Sequence, residues 1–132
     1  MAKYVYPAIL TLEDEGGYSV LFPDLESCYT CGDDLPDALD MAKDVLEIVL
    51  YEYEKNKKVI PAPSDIKNIK TKENEIISLV AGDTINYSKM YNTKSVKKTL
   101  TIPEWLNVKA EEANAPYSQI LQQGLKTYLG LN

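Results

Sequence analysis

The stretch that decides the fold is Val96-Lys97-Lys98-Thr99-Leu100-Thr101-Ile102-Pro103, close to the end of this chain of 132 residues. Its first seven residues are typical of a β-strand, and Pro103 predicts the first position of a helix. Asn114-Ala115-Pro116-Tyr117 then breaks the helix, Ser118 is expected to cap a second one, and Gly130 to end it. Residues 95–132 are therefore predicted to form one strand followed by two short helices.

A unit of about 40 residues with this layout cannot bury enough apolar surface to fold alone. Its single strand would also leave both edges unpaired. Pairing with the same strand of a second chain solves both problems, because it gives a two-stranded ribbon flanked by four helices. The residues predicted to form this dimer core are Leu100, Ile102, Trp105, Leu106, Ile120, Leu121 and Leu125. Such a ribbon fits the major groove of DNA.

Alternation along the strand predicts which side chains face the DNA. If Leu100 and Ile102 point into the core, the residues between them point outward. The hydroxyl and methyl groups of threonine suit contacts with base edges. Lys98 is placed to reach a phosphate, and the free N–H groups at the start of the second helix, near Ser118, suit another phosphate. The predicted DNA-binding residues are Lys97, Lys98, Thr99, Thr101 and Ser118. The alternative is an ordinary exposed strand, in which lysine and threonine favour solubility.

The front of the chain predicts a β-β-β-α-β unit. The predicted strands are residues 3–12, 18–22, 27–32 and 75–81. The helix between the last two begins at Asp33 or Asp34 and tolerates Pro36 in its first turn. Its apolar face comprises Leu35, Ala38, Leu39, Ala42, Val45, Leu46, Val49, Leu50 and Tyr53, and its other face Asp37, Asp40, Met41, Asp44, Glu47, Ile48 and Tyr51.

Residues 84–94 are polar and lack a clear period, so we predict a linker there, with at most one short helix. The fold class is then α+β, with domains at residues 1–83 and 95–132.

The net charge also differs between the front and the rear of the chain. Residues 1–54 hold two lysines and thirteen acids, a net charge of -11, whereas residues 55–94 carry +4 and residues 95–132 carry +1. An acidic front half repels nucleic acid and suits a basic protein partner.

Composition argues against an enzyme. The chain has no histidine, so no side chain titrates near neutral pH unless its pKa is shifted. A magnesium-dependent nuclease site needs carboxylates on adjacent strands, whereas Glu13, Asp14 and Glu15 fall in a predicted turn. Cys28 and Cys31 are three apart in a predicted strand and so face opposite ways, which favours two unrelated thiols over a metal or redox pair. We expect no cofactor, no membrane span and no signal peptide, hence a cytoplasmic protein.

The order of short motifs resembles that of HicB-type antitoxins. The matching motifs are Tyr6-Pro7-Ala8, Glu15-Gly16-Gly17-Tyr18-Ser19-Val20, Phe22-Pro23-Asp24-Leu25, Cys28-Tyr29-Thr30, Gly32-Asp33 and, in the tail, Lys97-Lys98-Thr99-Leu100-Thr101-Ile102-Pro103. The tail also resembles the ribbon-helix-helix DNA-binding family. The sequence departs from the pattern at Cys31, where polar residues are common, and in its lack of arginine in the tail.

This resemblance implies a partial ribonuclease-H-like front domain without the nuclease site, which would bind and block a small basic HicA-type ribonuclease toxin. The tail, as a homodimer that can pair further, would bind operator DNA and repress the operon of both proteins. Two surfaces could hold the toxin. One is the sheet edge with Tyr18, Phe22, Asp24 and Tyr29; the other is the helix face with Asp37, Asp40, Asp44, Glu47, Ile48 and Tyr51. The alternatives are a transcription regulator whose front domain senses a ligand, and an interaction protein whose tail only dimerises.

Overall fold

A computed structural model describes residues 2–92 and 94–131 and divides the chain into two compact units, residues 1–94 and 95–132. In the first unit the elements are β1 (Lys3–Leu12), β2 (Tyr18–Leu21), β3 (Tyr29–Gly32), α1 (Leu35–Lys55), a 3-10 turn (Ile66–Asn68), β4 (Glu75–Asp83) and α2 (Thr84–Tyr91). The second unit contains α3 (Glu104–Glu112) and α4 (Tyr117–Leu129). The β-β-β-α-β order predicted for the front of the chain is confirmed.

The four strands form one antiparallel sheet in the order β3-β2-β1-β4. The turn between β1 and β2 depends on Gly16 and Gly17, whose φ angles are +88° and +81°, a conformation that disfavours any side chain. The long β1 strand lies inside the sheet and pairs with β4 from Lys3 to Thr11. Both β3 and β4 are therefore edge strands of the sheet.

The core lies between one face of this sheet and α1. Alternate residues of β1 point toward the helix, among them Tyr6, Ala8 and Leu10, which are buried. On α1 the buried apolar residues recur every four positions, as Ala38, Ala42, Leu46 and Leu50. Gly32, at the end of β3, allows α1 to approach the sheet closely, since a Cβ at this position would lie 2.4 Å from the Cα of Ala38.

Capping fixes both ends of α1. Of the two aspartates predicted as candidates, Asp34 is the N-cap, and its Oδ1 accepts the backbone N–H of Asp37 at 2.8 Å. The carboxylate of Asp37 in turn accepts the N–H of Asp33 at 2.8 Å. Lys55 lies in the last turn, where a cation favours the helix dipole.

Residues 84–91, predicted to belong to the linker, form helix α2, which packs on α1. Asp83 caps it by accepting the N–H groups of Ile85 and Asn86 at 3.0 and 3.3 Å. The ring centroids of Tyr51 and Tyr87 are 5.0 Å apart, which joins the two helices. This is the one short helix that the prediction for residues 84–94 allowed, although its weak apolar periodicity did not fix its bounds.

The second unit shows the predicted helix–turn–helix, with small differences at the helix starts. Pro103 is the N-cap of α3 rather than its first residue, and α4 begins one residue before Ser118, which lies inside the first turn and makes no capping hydrogen bond. Gly130 ends α4 in the left-handed conformation, with φ 71°. Residues 94–103 form neither helix nor strand in the single chain. A ribbon strand takes its hydrogen bonds from a second chain, so a strand at 96–102 stays a prediction.

Candidate functional site

The second unit presents an apolar groove and has no core of its own. None of residues 94–131 is buried. The groove has a volume of about 740 Å³ and is lined by Lys98, Leu100, Ile102, Leu106, Asn107, Ala110, Ala115, Tyr117, Ser118, Ile120 and Leu121. Most of the residues predicted to form a dimer core line it, and the other two, Trp105 and Leu125, are 68% and 52% exposed. In the single chain these side chains have no apolar cover.

The five residues predicted to contact DNA are all exposed, and two of them, Lys98 and Ser118, line the groove. Lys98, Leu100 and Ile102 line the groove, whereas Lys97, Thr99 and Thr101 do not. This is the two-residue alternation of an extended segment. Ser118 lies at the other end of the groove lining, in the first turn of α4. Lys98, Leu100 and Ile102 thus contribute to the groove, whereas Lys97, Thr99 and Thr101 are exposed outside its lining.

In the first unit, the exposed side of α1 mixes carboxylates with apolar side chains. Asp40 and Asp44 are exposed, as are Met41 and Ile48, at 40% and 43%. Asp37 is half-buried. With Tyr51, these residues form the α1 face, defined here as Asp37, Asp40, Met41, Asp44, Ile48 and Tyr51.

Glu47 was predicted to belong to the α1 face, and that prediction is wrong. Its side chain is only 5% exposed, and its Oε2 accepts the backbone N–H of Asp83 at 2.7 Å. Helical periodicity alone assigns Glu47 to the polar side of α1, but the end of β4 passes over this position and buries the side chain. The carboxylate therefore holds the junction of β4 and α2 and is not available to a partner.

Two tyrosines that sequence analysis missed extend the α1 face. Tyr87 and Tyr91 of α2 are one helical turn apart, with ring centroids 4.8 Å from each other, and Tyr87 packs against Tyr51. Tyr91 is 65% exposed. The four-residue spacing of these tyrosines after Asp83 could have indicated that both lie on one side of a helix. The interpretation of residues 84–94 as a linker overlooked this spacing.

The other predicted toxin site, the sheet edge, is not one continuous surface. Phe22 is fully buried in the core, because it continues the inward alternation of Val20. Asp24 is half-buried and accepts hydrogen bonds from the backbone N–H of Ser64 at 2.9 Å and from its hydroxyl. Tyr18 is half-buried, and Tyr29 remains exposed at 66%. Phe22 is thus ruled out as a contact residue.

The titratable groups with shifted pKa values belong to the core and its margin. Burial, with a hydrogen bond from the Tyr4 hydroxyl to Glu54 at 2.7 Å, raises the pKa of Tyr4 to about 12. Burial and the charge of Asp24 also raise the pKa of Tyr6. Burial raises the pKa of the Cys28 thiol to about 11, while Cys31 is exposed. Neither cysteine is in a disulfide, and the two thiols differ in exposure; that they are functionally unrelated stays a prediction.

Two further structural findings concern residues 2–92 and 94–131. No helix in this part of the chain is both long and apolar enough to cross a membrane. No group of three potential metal-ligating side chains comes together there.

Comparison with known proteins identifies relatives of this chain. Antitoxin HicB of Escherichia coli K12 is 36% identical over 63 residues, which is 48% of this chain and 46% of that protein. Antitoxin HicB 2 of Photorhabdus laumondii is 41% identical over 64 residues, again 48% of this chain and 46% of the relative. The matched region thus spans about half the length of these curated relatives.

Solved structures match over a larger share of the chain. A chain of a toxin–antitoxin complex from Streptococcus pneumoniae is 27% identical, with a TM-score of 0.61, and the match covers 96% of this chain and 99% of that one. The antitoxin HicB of Burkholderia pseudomallei shares the fold, with a TM-score of 0.54 at 16% identity, over 92% of this chain and 96% of that one. A family model described as the HicB-like antitoxin of bacterial toxin-antitoxin systems matches residues 6–122. Since this match spans most of both units, the chain belongs to the HicB-like antitoxin family.

Proposed function

We propose that this protein is an antitoxin that binds and neutralises a small basic HicA-type mRNA-cleaving toxin and, as a dimer, binds operator DNA to repress its own operon. The observation that carries the proposal is the similarity, over 96% of the chain, to a chain of the Streptococcus pneumoniae toxin–antitoxin complex. The two units of the structure suit two separate tasks, one for each partner.

The α1 face is the surface that best suits a basic toxin. Its aspartates lie in the part of the chain with a net charge of -11, so attraction to a cationic protein would accelerate the encounter. Met41, Ile48 and the exposed Tyr91 supply the apolar contacts that charge alone does not give. The sheet edge lacks this combination, because only Tyr29 among its four proposed residues is exposed.

The test of toxin binding reverses two charges on the α1 face. In a chain with Asp40→Lys and Asp44→Lys, we expect the affinity for the toxin to fall at least about tenfold, and most of this loss to come from slower association. Co-expression with the toxin of the same operon should then no longer protect growth. Asp14→Lys with Glu15→Lys is the matched control, because it makes the same charge change at two exposed turn residues. Equal losses in both variants would show a general charge effect and contradict this docking surface.

The tail unit supports dimerisation through its groove. A segment of this size with no buried residue has almost no apolar stabilisation as a monomer, and a second copy would cover Leu100, Ile102, Leu106, Ile120 and Leu121 from both sides. Pairing of residues 96–102 across the two-fold axis would give the segment the hydrogen bonds that it lacks in the single chain. The outward side chains Lys97, Thr99 and Thr101 would then lie side by side on one ribbon.

DNA binding is tested at the outward threonines. We expect Thr99→Ala with Thr101→Ala to abolish operator binding in an electrophoretic mobility assay while growth protection against the toxin is retained. Threonine hydroxyls and methyls are the groups that read base edges in this arrangement. Loss of toxin protection with operator binding intact would contradict the division of tasks between the units.

The structure does not favour the alternative of a ligand-sensing front domain. Such a domain needs an apolar cavity between sheet and helix, yet this space is filled by core side chains. Those of Tyr6, Leu10, Phe22, Leu46 and Leu50 are all fully buried there.

A further inference from the structure

The junction of β4 and α2 is packed closely against α1 and contains two buried polar residues. A Cβ at Gly82 would lie 3.1 Å from Cδ2 of Leu46. Glu47 is 5% exposed and accepts the backbone N–H of Asp83 at 2.7 Å. Thr84, the first residue of α2, is fully buried. Because a buried hydroxyl without a hydrogen-bond partner is destabilising, the partners of Thr84 identify what its hydroxyl holds together.

The Thr84 hydroxyl joins the start of α2 to two other segments of the first unit. Its oxygen accepts the backbone N–H of Ala2, which directly precedes β1, at 2.8 Å. Its one proton goes either to the Ala2 carbonyl, at 3.1 Å, or to Oε2 of Glu54 near the end of α1, at 3.0 Å. The same Glu54 oxygen accepts the Tyr4 hydroxyl at 2.7 Å. We call Ala2, Tyr4, Glu54 and Thr84 the junction cluster.

The rest of α2 has few anchors of its own. An isolated helix of eight residues is not stable in water, and Thr84 is the one residue of α2 that is buried. Beyond it, α2 contacts α1 through the rings of Tyr51 and Tyr87 and through a hydrogen bond of 3.4 Å from Asn92 Nδ2 to the Tyr51 hydroxyl. The Asp83 cap stabilises the helix itself but does not tie it to α1. The position of α2 is therefore set mainly at its first turn.

This helix carries the aromatic end of the surface that we assign to the toxin. The rings of Tyr87 and Tyr91 stack along α2, and Tyr91 is 65% exposed. Large aromatic side chains contribute strongly to binding, and more so when they are ordered before the partner arrives, because ordering them on binding costs conformational entropy. Thr84 precedes Tyr91 by seven residues, which is about two helical turns. An anchor at Thr84 therefore acts on a ring that it does not touch.

We propose that Thr84 is a positioning residue for toxin binding: its hydroxyl holds α2 against α1 and thereby presents Tyr91 to the toxin in a fixed orientation. The inference rests on the proposed function, because it assigns α2 to the docking surface. By linkage, a toxin that contacts Tyr91 stabilises α2 in return. Opening of α2 and binding of the toxin then oppose each other.

The first test is hydrogen exchange of the full chain without toxin. Thr84→Val keeps the shape of the side chain but removes the hydroxyl, so the amides of residues 88–92 should exchange about tenfold faster while those of α1 keep their rates. Thr84→Ser retains the hydroxyl and should restore slow exchange. Tyr4→Phe is the matched control, because it removes another hydroxyl from the Glu54 carboxylate and leaves every hydrogen bond of Thr84 in place. Its α2 amides should exchange as in the unaltered chain.

The second test measures the affinity for the toxin of the same operon. Thr84→Val should bind at least about fivefold more weakly, through faster dissociation, and Thr84→Ser should bind like the unaltered chain. Tyr91→Ala should weaken binding at least as much. Adding Thr84→Val to Tyr91→Ala should cause little further loss, because Thr84 acts through that ring. Toxin added to the unaltered chain should slow the exchange of the α2 amides.

The outcomes separate this inference from the proposed function. Unchanged α2 exchange in Thr84→Val, or equal acceleration in Tyr4→Phe, would show that the Thr84 hydroxyl does not hold α2. Additive losses in the double variant, or unchanged toxin affinity of Thr84→Val, would remove its role in docking and leave the proposed function intact. A toxin that fails to bind the unaltered chain would overturn the proposed function and this inference with it. Circular dichroism establishes that each variant is folded.

Discussion

At the scale of single residues, three groups make the first unit sensitive to alkali. The pKa of Tyr4 is raised to about 12, that of Cys28 to about 11, and that of Tyr6 is raised as well. Each group holds its proton more tightly in the folded chain than in the unfolded chain, so its contribution to stability is complete below the unfolded pKa, about 9–10. The contribution of Tyr4 is then lost between about pH 10 and 12.

We therefore expect the free energy of unfolding to fall steeply when the pH rises from 9 to 11. Tyr4→Phe keeps the ring but removes the titrating hydroxyl, so its free energy of unfolding should fall less over the same interval. Urea denaturation at each pH, followed by circular dichroism, measures both slopes. Parallel slopes for the two proteins would exclude Tyr4 as a contributor.

Glu47 provides a second prediction at this scale. Glu47→Ala leaves the Asp83 N–H without its acceptor, which should reduce the free energy of unfolding by about 1–3 kcal/mol. Glu47→Gln keeps an acceptor oxygen and should cost less. Asp44→Ala, at an exposed position of the same helix, should change stability by no more than about 0.5 kcal/mol. If Glu47→Ala were as stable as Asp44→Ala, the hydrogen bond would not support the β4–α2 junction.

At the scale of elements, the start of α1 depends on one side chain. Asp34 accepts the N–H of Asp37, whereas the neighbouring Asp33 contributes its backbone N–H to the same turn. Asp34→Ala should therefore lower the free energy of unfolding by about 1 kcal/mol. Asp33→Ala removes the same charge but no cap, so it should lower the free energy of unfolding by only a few tenths of the amount expected for Asp34→Ala. Chemical denaturation of both variants gives the comparison, and equal losses would point to charge rather than capping.

The sequence was informative for elements wherever one local pattern decided the outcome. The strand alternation around Leu10 and Val20 predicted the strands, and the four-residue spacing from Ala38 to Leu50 predicted the helix and its buried face. The errors arose where a distant segment decides. Glu47 is buried because the end of β4 crosses it, and the bounds of the short helix α2 were not predicted because a tyrosine contact with α1 holds it.

The candidate interfaces were predictable only in part, for the same reason. Alternation separated Thr99 and Thr101 from Leu100 and Ile102, because that relation is local. The assignment of Phe22 to a binding edge failed, although its position two residues after Val20 indicated an inward side chain. The apolar row of Tyr29, Leu21, Ile9 and Ile77 was not foreseen, because it forms only when the register aligns these residues across four strands.

At the scale of the whole molecule, the affinity of the tail dimer for operator DNA should depend strongly on salt. Lys97 and Lys98, doubled in a dimer, make four phosphate contacts if all of them engage. The logarithm of the operator affinity should then fall with the logarithm of salt concentration with a slope of about -3 to -4. Replacing both lysines with alanine should bring the slope close to zero while the dimer persists. A flat response of the unaltered protein would exclude these phosphate contacts.

The position of Trp105 has a practical consequence. It is the one tryptophan of the chain, it belongs to the tail unit, and its ring is 68% exposed. The first unit contains tyrosines but no tryptophan, so selective excitation of indole gives an emission signal from the tail alone. Burial of this ring on pairing of two tails should shift the emission maximum to shorter wavelength, while a partner that docks on α1 should leave the emission maximum unchanged. The protein therefore carries its own optical reporter for one unit, and unlabelled material is enough to follow the tail separately.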